Sequence, residues 1–381
     1  MNNEIKPHQP PFMQKNEPEL IQEKPSSPIE KEDKPISSSK EASCSLIKTI
    51  SNKKIILKNF QSPGDILMLT AGVRDLKLSN PNLKIDVRTS ASEIWDNNPH
   101  LTPLNEKDED VTIFNIDYPA IHNSNNGPWH FVHGFRLELE KQLKTKIKAT
   151  QFKGDIHISN EEKMWMSQIE EMEIKDKFWI IISGGKYDFS AKWGNPLYFQ
   201  EVIDYFKNKV TFVQCGQSDH WHPKLNNVID LVGKTNLRQF IRLIYHSVGI
   251  LCPITFAMHA AVAIESKHGL INRPCVVVAG GREPSQWEKY PHHRFLETNG
   301  CLDCCNNGGC WRSRCQKVGD GDKKDTEHLC LHPTEIDFDF NNDKIKDEKL
   351  KIAKCINMIK PKDIIRAIEM YYDGGILKYN E

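Results

Sequence analysis

The sequence predicts an α/β protein: two consecutive strand–helix units facing a cleft, with a cysteine-rich, metal-binding insertion in the C-terminal half. Three observations carry that expectation. Short β-type runs alternate with helix-spaced segments over residues 51–300, the alternation restarts near residue 173, and Cys301, Cys304, Cys305, Cys310, Cys315, Cys330 and Cys355 crowd one late stretch. At 381 residues the chain is also longer than one hydrophobic core usually serves.

Residues 1–50 are rich in Pro, Ser, Glu and Lys and poor in apolar residues, so they are expected to form a disordered tail. The first unit, residues 51–172, opens with KKIILKNF, a strand, then the turn Ser62-Pro63-Gly64-Asp65 and the helix-spaced ILMLTAGVRDLKLSNP. LKIDVRTS and DVTIFNID read as further strands. The polar, helix-favouring EEKMWMSQIEEMEIKDK marks the boundary. The second unit, residues 173–300, has the strands FWIIIS, VTFVQCG, VGILCPI and PCVVVAGG, separated by the helices LYFQEVIDYFKNK, NLRQFIRLIYH and AMHAAVAIES. Residues 301–356 form the cysteine-rich segment and 357–381 a C-terminal helix. In such architectures ligands sit outside the carboxyl ends of the parallel strands.

Composition narrows the partners. Lys and Arg number 51 and so do Asp and Glu, which leaves no global field to draw nucleic acid or anionic lipid. No run approaches the roughly 20 apolar residues of a membrane span, and Met1–Pro11 lacks the apolar core of a secretory signal. A cytoplasmic protein with reduced thiols is the expectation.

Several residues stand where chemistry is done. Asp65 lies between a strand and a helix, a place that suits either a catalytic base or an N-cap. Lys186 follows the glycine pair Gly184-Gly185, and Lys192 precedes the next helix; either suits a diphosphate, or a solvated surface. Thr255 to His259 leads from a strand into an Ala-rich helix and aims backbone N–H groups at an anion site, although His259 by itself reads more often as a packed histidine than as a ligand. Gly280-Gly281-Arg282-Glu283 closes the last strand as a nucleotide-type loop. Thiols crowded into a loop without its own core are the signature of a structural metal, zinc or iron.

In this order, GDILMLTAGVRDLK, the glycine segment with Lys192-Trp193, LVGKTNLRQFIRLIYHSVGILCPITFAMHAAVAI and VVAGGREP resemble the heptosyltransferases of glycosyltransferase family nine, over about residues 55–290. The late CCNNGGCW, with Cys330 and Cys355, is similar to the autotransporter heptosyltransferases, which carry an iron bound by four cysteines. The resemblance implies a GT-B fold of two Rossmann-like domains, with the acceptor on the N-terminal side and the donor on the C-terminal side. It places the catalytic aspartate on Asp65 and the donor-diphosphate lysine on Lys192 rather than Lys186. The second phosphate-facing turn falls on Thr255, Ala257, Met258 and His259, with Ile254 and Phe256 where the family has Asp and Gly. Iron ligands map on Cys305, Cys310, Cys330 and Cys355, with Cys304 as the alternate.

The implied activity is inverting transfer of a sugar, heptose from ADP-heptose, to a hydroxyl on lipopolysaccharide, protein or a small molecule. It needs no catalytic metal and is compatible with a homo-oligomer. Glu283, Gln286 and Trp287 would touch base or ribose, and His130 and His133 would line the acceptor side unless they are exposed loop residues. Two other readings stand beside it: a cysteine–metal module binding a partner on a degenerate α/β scaffold without transferase activity, and an iron–sulfur redox enzyme.

Overall fold

The structure, a computed structural model, describes residues 53–117, 129–305, 308–340, 344–345 and 347–380; the tail expected over residues 1–50 lies outside them. The N-terminal half runs β1 (Lys54–Asn59), α1 (Pro63–Ser79), β2 (Lys84–Thr89), β3 (Val111–Asn115), α2 (Phe131–Leu143) and α3 (Asn160–Met164). Its strands form a parallel sheet of order β2-β1-β3. Next come β4 (Phe178–Ile181), α4 (Pro196–Tyr205), β5 (Thr211–Gln214), β6 (Ile229–Asp230), α5 (Leu237–His246), β7 (Gly249–Cys252), α6 (Phe256–Ala263), β8 (Cys275–Gly280), α7 (Ser285–Glu288) and β9 (Arg294–Glu297). These strands form a parallel six-stranded sheet of order β6-β5-β4-β7-β8-β9. The order reverses between β4 and β7, the switch point at which doubly wound sheets take their ligands.

The sheet explains the sequence pattern. β4, β7 and β8 are buried at every position, because helices cover both faces, so they read as unbroken apolar runs rather than alternating ones. One core cluster is shared by both halves; a second packs beneath the six-stranded sheet with α9 (Pro361–Asp373). The antiparallel pair β10 (Pro333–Ile336) and β11 (Leu350–Ala353), followed by α8 (Lys354–Asn357), joins that second cluster. Tyr371 of α9 fixes its hydroxyl between β8 and β9, accepting from the backbone N–H of Cys275 and donating to the carbonyl of His292 at 2.9 Å.

Two elements depart from expectation. The boundary segment 160–176 is not one helix: α3 ends at Trp165, and Ser167 and Glu170 cap a separate short turn, each bonding the other's backbone N–H. The stretch holding His130 and His133 is no exposed loop. His130 caps α2, with its Nδ1 accepting from the Val132 N–H at 3.1 Å.

Arg238 of α5 ties the halves together. Its Nη2 donates to the His157 carbonyl and to Glu162 Oε2, both at 2.7 Å, and Nη1 reaches the Glu93 carbonyl at 3.3 Å.

Candidate active site between the two sheets

A cavity of about 540 Å3 opens where the carboxyl ends of both sheets meet, a size suited to a small-molecule ligand. Asp65 lines it from the N-terminal half. The helix start is built by Ser62 in extended backbone, Pro63 in the first turn and Asp65 reaching back, so that Asp65 Oδ2 accepts the Ser62 N–H at 2.9 Å. Asp65 is therefore not the N-cap: Ser62 is, and Asp65 sits a turn inside a capping box. From the opposite half Lys186 donates its ammonium to Ser62 Oγ at 3.1 Å.

The donor-side wall begins after β4. Gly184 admits the chain here, because any Cβ would run into the Trp221 carbonyl. Lys192 ends a short 3-10 helix, Tyr187–Lys192, and pairs with Glu283 Oε1 at 2.8 Å. Burial pushes the Glu283 carboxyl up, but Lys192 and Arg282 together outweigh that and hold it below the usual carboxylate range. Arg282 pairs with Glu283 and lies 5.5 Å from the Phe189 ring centroid.

The third wall is the start of α6. Thr255 Oγ1 caps it, accepting the Ala257 N–H at 3.3 Å, while buried Arg273 collects carbonyls at the far end, those of Ala261 and Ile264 at 3.0 Å. The helix thus presents its N-terminal partial charge to the cleft. Ala257 and His259 line the cavity; Met258 does not, being fully buried in the core. Phe256 occupies the position of the expected glycine, and the turn still comes close: a Cβ on Gly64 would lie 3.9 Å from the Phe256 backbone and 3.8 Å from His259. His259 Nδ1 hydrogen-bonds the Tyr290 hydroxyl at 3.0 Å, and its Nε2 lies 3.2 Å from the Glu288 carboxylate.

Sequence reasoning named Asp65, Lys192, Thr255, Ala257, His259 and Glu283, and all of them line this one cavity. It missed His220, His222, Glu288, Phe131 and Trp311, which line it too. The signal for the first two was SDHWH directly after a strand end. Among the described residues neither of the buried ring nitrogens of half-buried His222 nor the buried Nε1 of Trp193 has a hydrogen-bond partner, so the cleft wall carries polar groups with unused hydrogen-bonding capacity. Burial lowers the His222 pKa to about 4 and that of His130 to about 3, which leaves both neutral.

The cysteines gather behind the donor wall. Cys304, Cys310, Cys330 and Cys355 line one narrow void of about 10 Å3, the size of an ion or a single water. Cys305, expected among the ligands, lies beside the void with its Sγ on the Gly281 carbonyl at 3.1 Å, and the alternate, Cys304, lines the void itself. Burial pushes the Cys304 thiol up to about 12 and that of Cys355 to about 11, whereas a hydrogen bond from Cys315 lowers Cys330 to about 7. Asp303, Cys304 and His332 bring three ligand atoms within 4.8 Å of one another; among the described residues no three sulfurs reach that spacing. Four thiols around an ion-sized void suit a soft cation in type and number.

No protein-family model and no curated protein sequence matches the chain. Solved structures do. The iron-containing dodecameric glycosyltransferase TibC from enterotoxigenic E. coli superposes with a TM-score of 0.55 at 16% identity, over 85% of this chain and 77% of that one. TibC in complex with ADP-D-β-D-heptose gives 0.53 at 16% identity over the same shares. A glycosyl transferase of family 9 from Veillonella parvula gives 0.51 at 14%, over 65% of this chain and 87% of that one. The chain has the fold of family-nine glycosyltransferases. At such identities the likeness concerns the fold, two parallel α/β sheets around a cleft, and no helix among the described residues is long and apolar enough to cross a membrane.

Proposed function

We propose that this chain is an inverting glycosyltransferase that moves a sugar from a nucleoside diphosphate to an acceptor hydroxyl. The observation that carries the reading is the single cleft lined by Asp65 from one sheet and by Lys192 and the capped start of α6 from the other. A carboxylate faces a cation and a helix N-terminus across a ligand-sized space. The acceptor oxygen attacks the anomeric carbon from the Asp65 side as the carbon–oxygen bond to the diphosphate breaks on the other. The diphosphate leaves with that electron pair, and the hydroxyl proton passes to Asp65.

An aspartate, with an ordinary pKa near 4, is a weak base toward a free alcohol, so the proton moves late, once the forming bond has acidified the hydroxyl. Lys192 and the α6 N–H groups meet the charge that develops on the leaving group. Glu283 keeps the Lys192 ammonium aimed along the wall.

TibC is described with ADP-D-β-D-heptose and as dodecameric, which makes an ADP-heptose donor and self-association the readings to test first. Cys304, Cys310, Cys330 and Cys355 would hold iron or zinc, which would act as a structural cross-link. The test is a thermal-shift panel of ADP-, GDP-, UDP- and dTDP-sugars with elemental analysis of the same sample. One nucleotide class should raise the melting temperature and metal should approach one per chain; no shift with any sugar nucleotide would falsify the transferase reading.

A further inference from the structure

We infer that His100, Asp155 and His157 form a second metal site, which takes a divalent transition metal such as zinc and clamps the chain that connects the two sheets. None of the three lines the cleft or the thiol void. They bring three ligand atoms within 4.8 Å of one another. His157 Nε2 lies 2.9 Å and His100 Nε2 3.5 Å from the same oxygen, Asp155 Oδ2. Two zinc bonds of about 2.05 Å opened to the tetrahedral angle set their ligand atoms about 3.3 Å apart, so these two spacings bracket what one ion needs.

The chain is built to present these groups. Ile156 belongs to the core, whereas Asp155 and His157 on either side of it are part-exposed, so the two share the outer face of the connecting segment. His100 meets them from the loop that follows β2. Each of the three is pinned through its backbone. The Asp155 N–H donates to Thr70 Oγ1 at 2.7 Å, the His100 N–H donates to Asn98 Oδ1 at 2.9 Å, and the His157 carbonyl accepts from Arg238 at 2.7 Å. Contacts of that kind orient ligands before the ion arrives. The Arg74 guanidinium lies 3.8 Å from Asp155 Oδ1, but it bonds Asp75, Thr150 and the carbonyls of Gln151 and Lys153, which leaves Oδ2 to the imidazoles.

The chemistry selects the ion. At neutral pH an ordinary imidazole is mostly uncharged and a carboxylate is ionised, so all three groups can offer lone pairs. Two imidazoles and a carboxylate suit a borderline cation such as zinc, with water in the fourth position. The side chains of His100, Asp155 and His157 are 17%, 13% and 32% exposed, so that position opens to solvent and the ion can exchange. Asn97 of the same loop donates to Glu162 at 2.9 Å, and Glu162 in turn holds Arg238. An ion here therefore stiffens the joint that ties the two halves.

The test supplies Zn2+ or Co2+ to the full-length protein, with any thiol-bound ion left in place, and compares wild type with His100→Ala and His157→Gln. Glutamine can still hydrogen-bond Asp155 but is a poor zinc ligand, so His157→Gln should melt with wild type in the absence of added metal. By equilibrium dialysis wild type should hold one equivalent per chain more than either variant and melt higher when loaded. The variants should bind that equivalent at least about 100-fold more weakly, the upper end of what loss of a mere outer-shell partner costs. Its Co2+ adduct should show visible d–d bands without thiolate charge-transfer absorption, which separates it from the cysteines. Equal metal content and affinity in wild type and both variants overturns the inference, as does a Co2+ spectrum of thiolate character alone.

Discussion

Asp65 and Glu283 face one cleft from opposite halves and are held there by different means. Asp65 belongs to the first turn of α1, which is buried continuously from Asp65 to Leu76, so its position is set by packing. Glu283 is as deeply buried, but it lies on a loop that polar contacts hold. Asn299, just before the cysteine-rich segment, holds the Glu283 carbonyl at 2.9 Å, and from the segment itself the Arg312 carbonyl accepts from Arg282 Nε and Cys305 meets Gly281. The same segment braces the helix that ends in Lys192, through Ser190 Oγ accepting the N–H groups of Cys315 at 2.9 Å and Gln316 at 3.2 Å. One wall is set by packing within a helix, the other by hydrogen bonds to a buried loop.

The sharpest way to break the comparison is at its rigid side. Asp65→Ala should lower transfer about a thousandfold or more at saturating donor, with nucleoside-diphosphate binding kept and only about 1 kcal/mol of capping stability lost. Turnover near the wild-type rate would remove Asp65 from the chemistry. At the other wall, Cys330→Ser should release metal and destabilise the fold by about 3 kcal/mol or more, read by elemental analysis and chemical denaturation. It should also weaken nucleotide binding while hydrogen exchange in α1 stays protected. Unchanged metal content would sink the ligand assignment.

Lys192→Ala isolates one contact of the braced wall. It should weaken nucleoside-diphosphate binding about 10- to 100-fold, roughly 1.5–3 kcal/mol for a charge-assisted contact, and lower the melting temperature, because buried Glu283 is left with Arg282 as its neighbouring cation. Acid should act on stability alone. Burial holds His130 and His293 at about 3 in the folded protein against an ordinary 6.5, so between those values the unfolded chain binds more protons than the folded one. Stability should be full above about pH 6.5 and fall steadily on acidification toward pH 4. His293→Gln should flatten part of that slope in melting curves; an unaltered slope would show that His293 does not contribute.

How much of this could be read from the chain differs along it. Unbroken apolar runs such as FWII and CVVVAG, and the residues directly after them, were legible, because a central parallel strand must be apolar and its carboxyl end must meet the ligand. β6, with two residues, and β9, which alternates charge with apolar residues at a sheet edge, carry too little pattern to be found. His130 was misread because a capping histidine looks like a loop histidine until the helix after it is seen. The choice between Cys304 and Cys305 turns on which way adjacent side chains point, and no spacing rule contains that. Trp311 was invisible as a site residue for the same reason: its place follows from a backbone angle, not from its neighbours in sequence.

Arg238 and Lys186 both reach across to the N-terminal half, but to different ends. Arg238 commits its guanidinium to partners there, whereas Lys186 commits its ammonium to a neutral hydroxyl, Ser62 Oγ at 3.1 Å. A polyanion in the cleft competes with Ser62 for that ammonium, so the same cation that joins the walls is also on offer to the ligand.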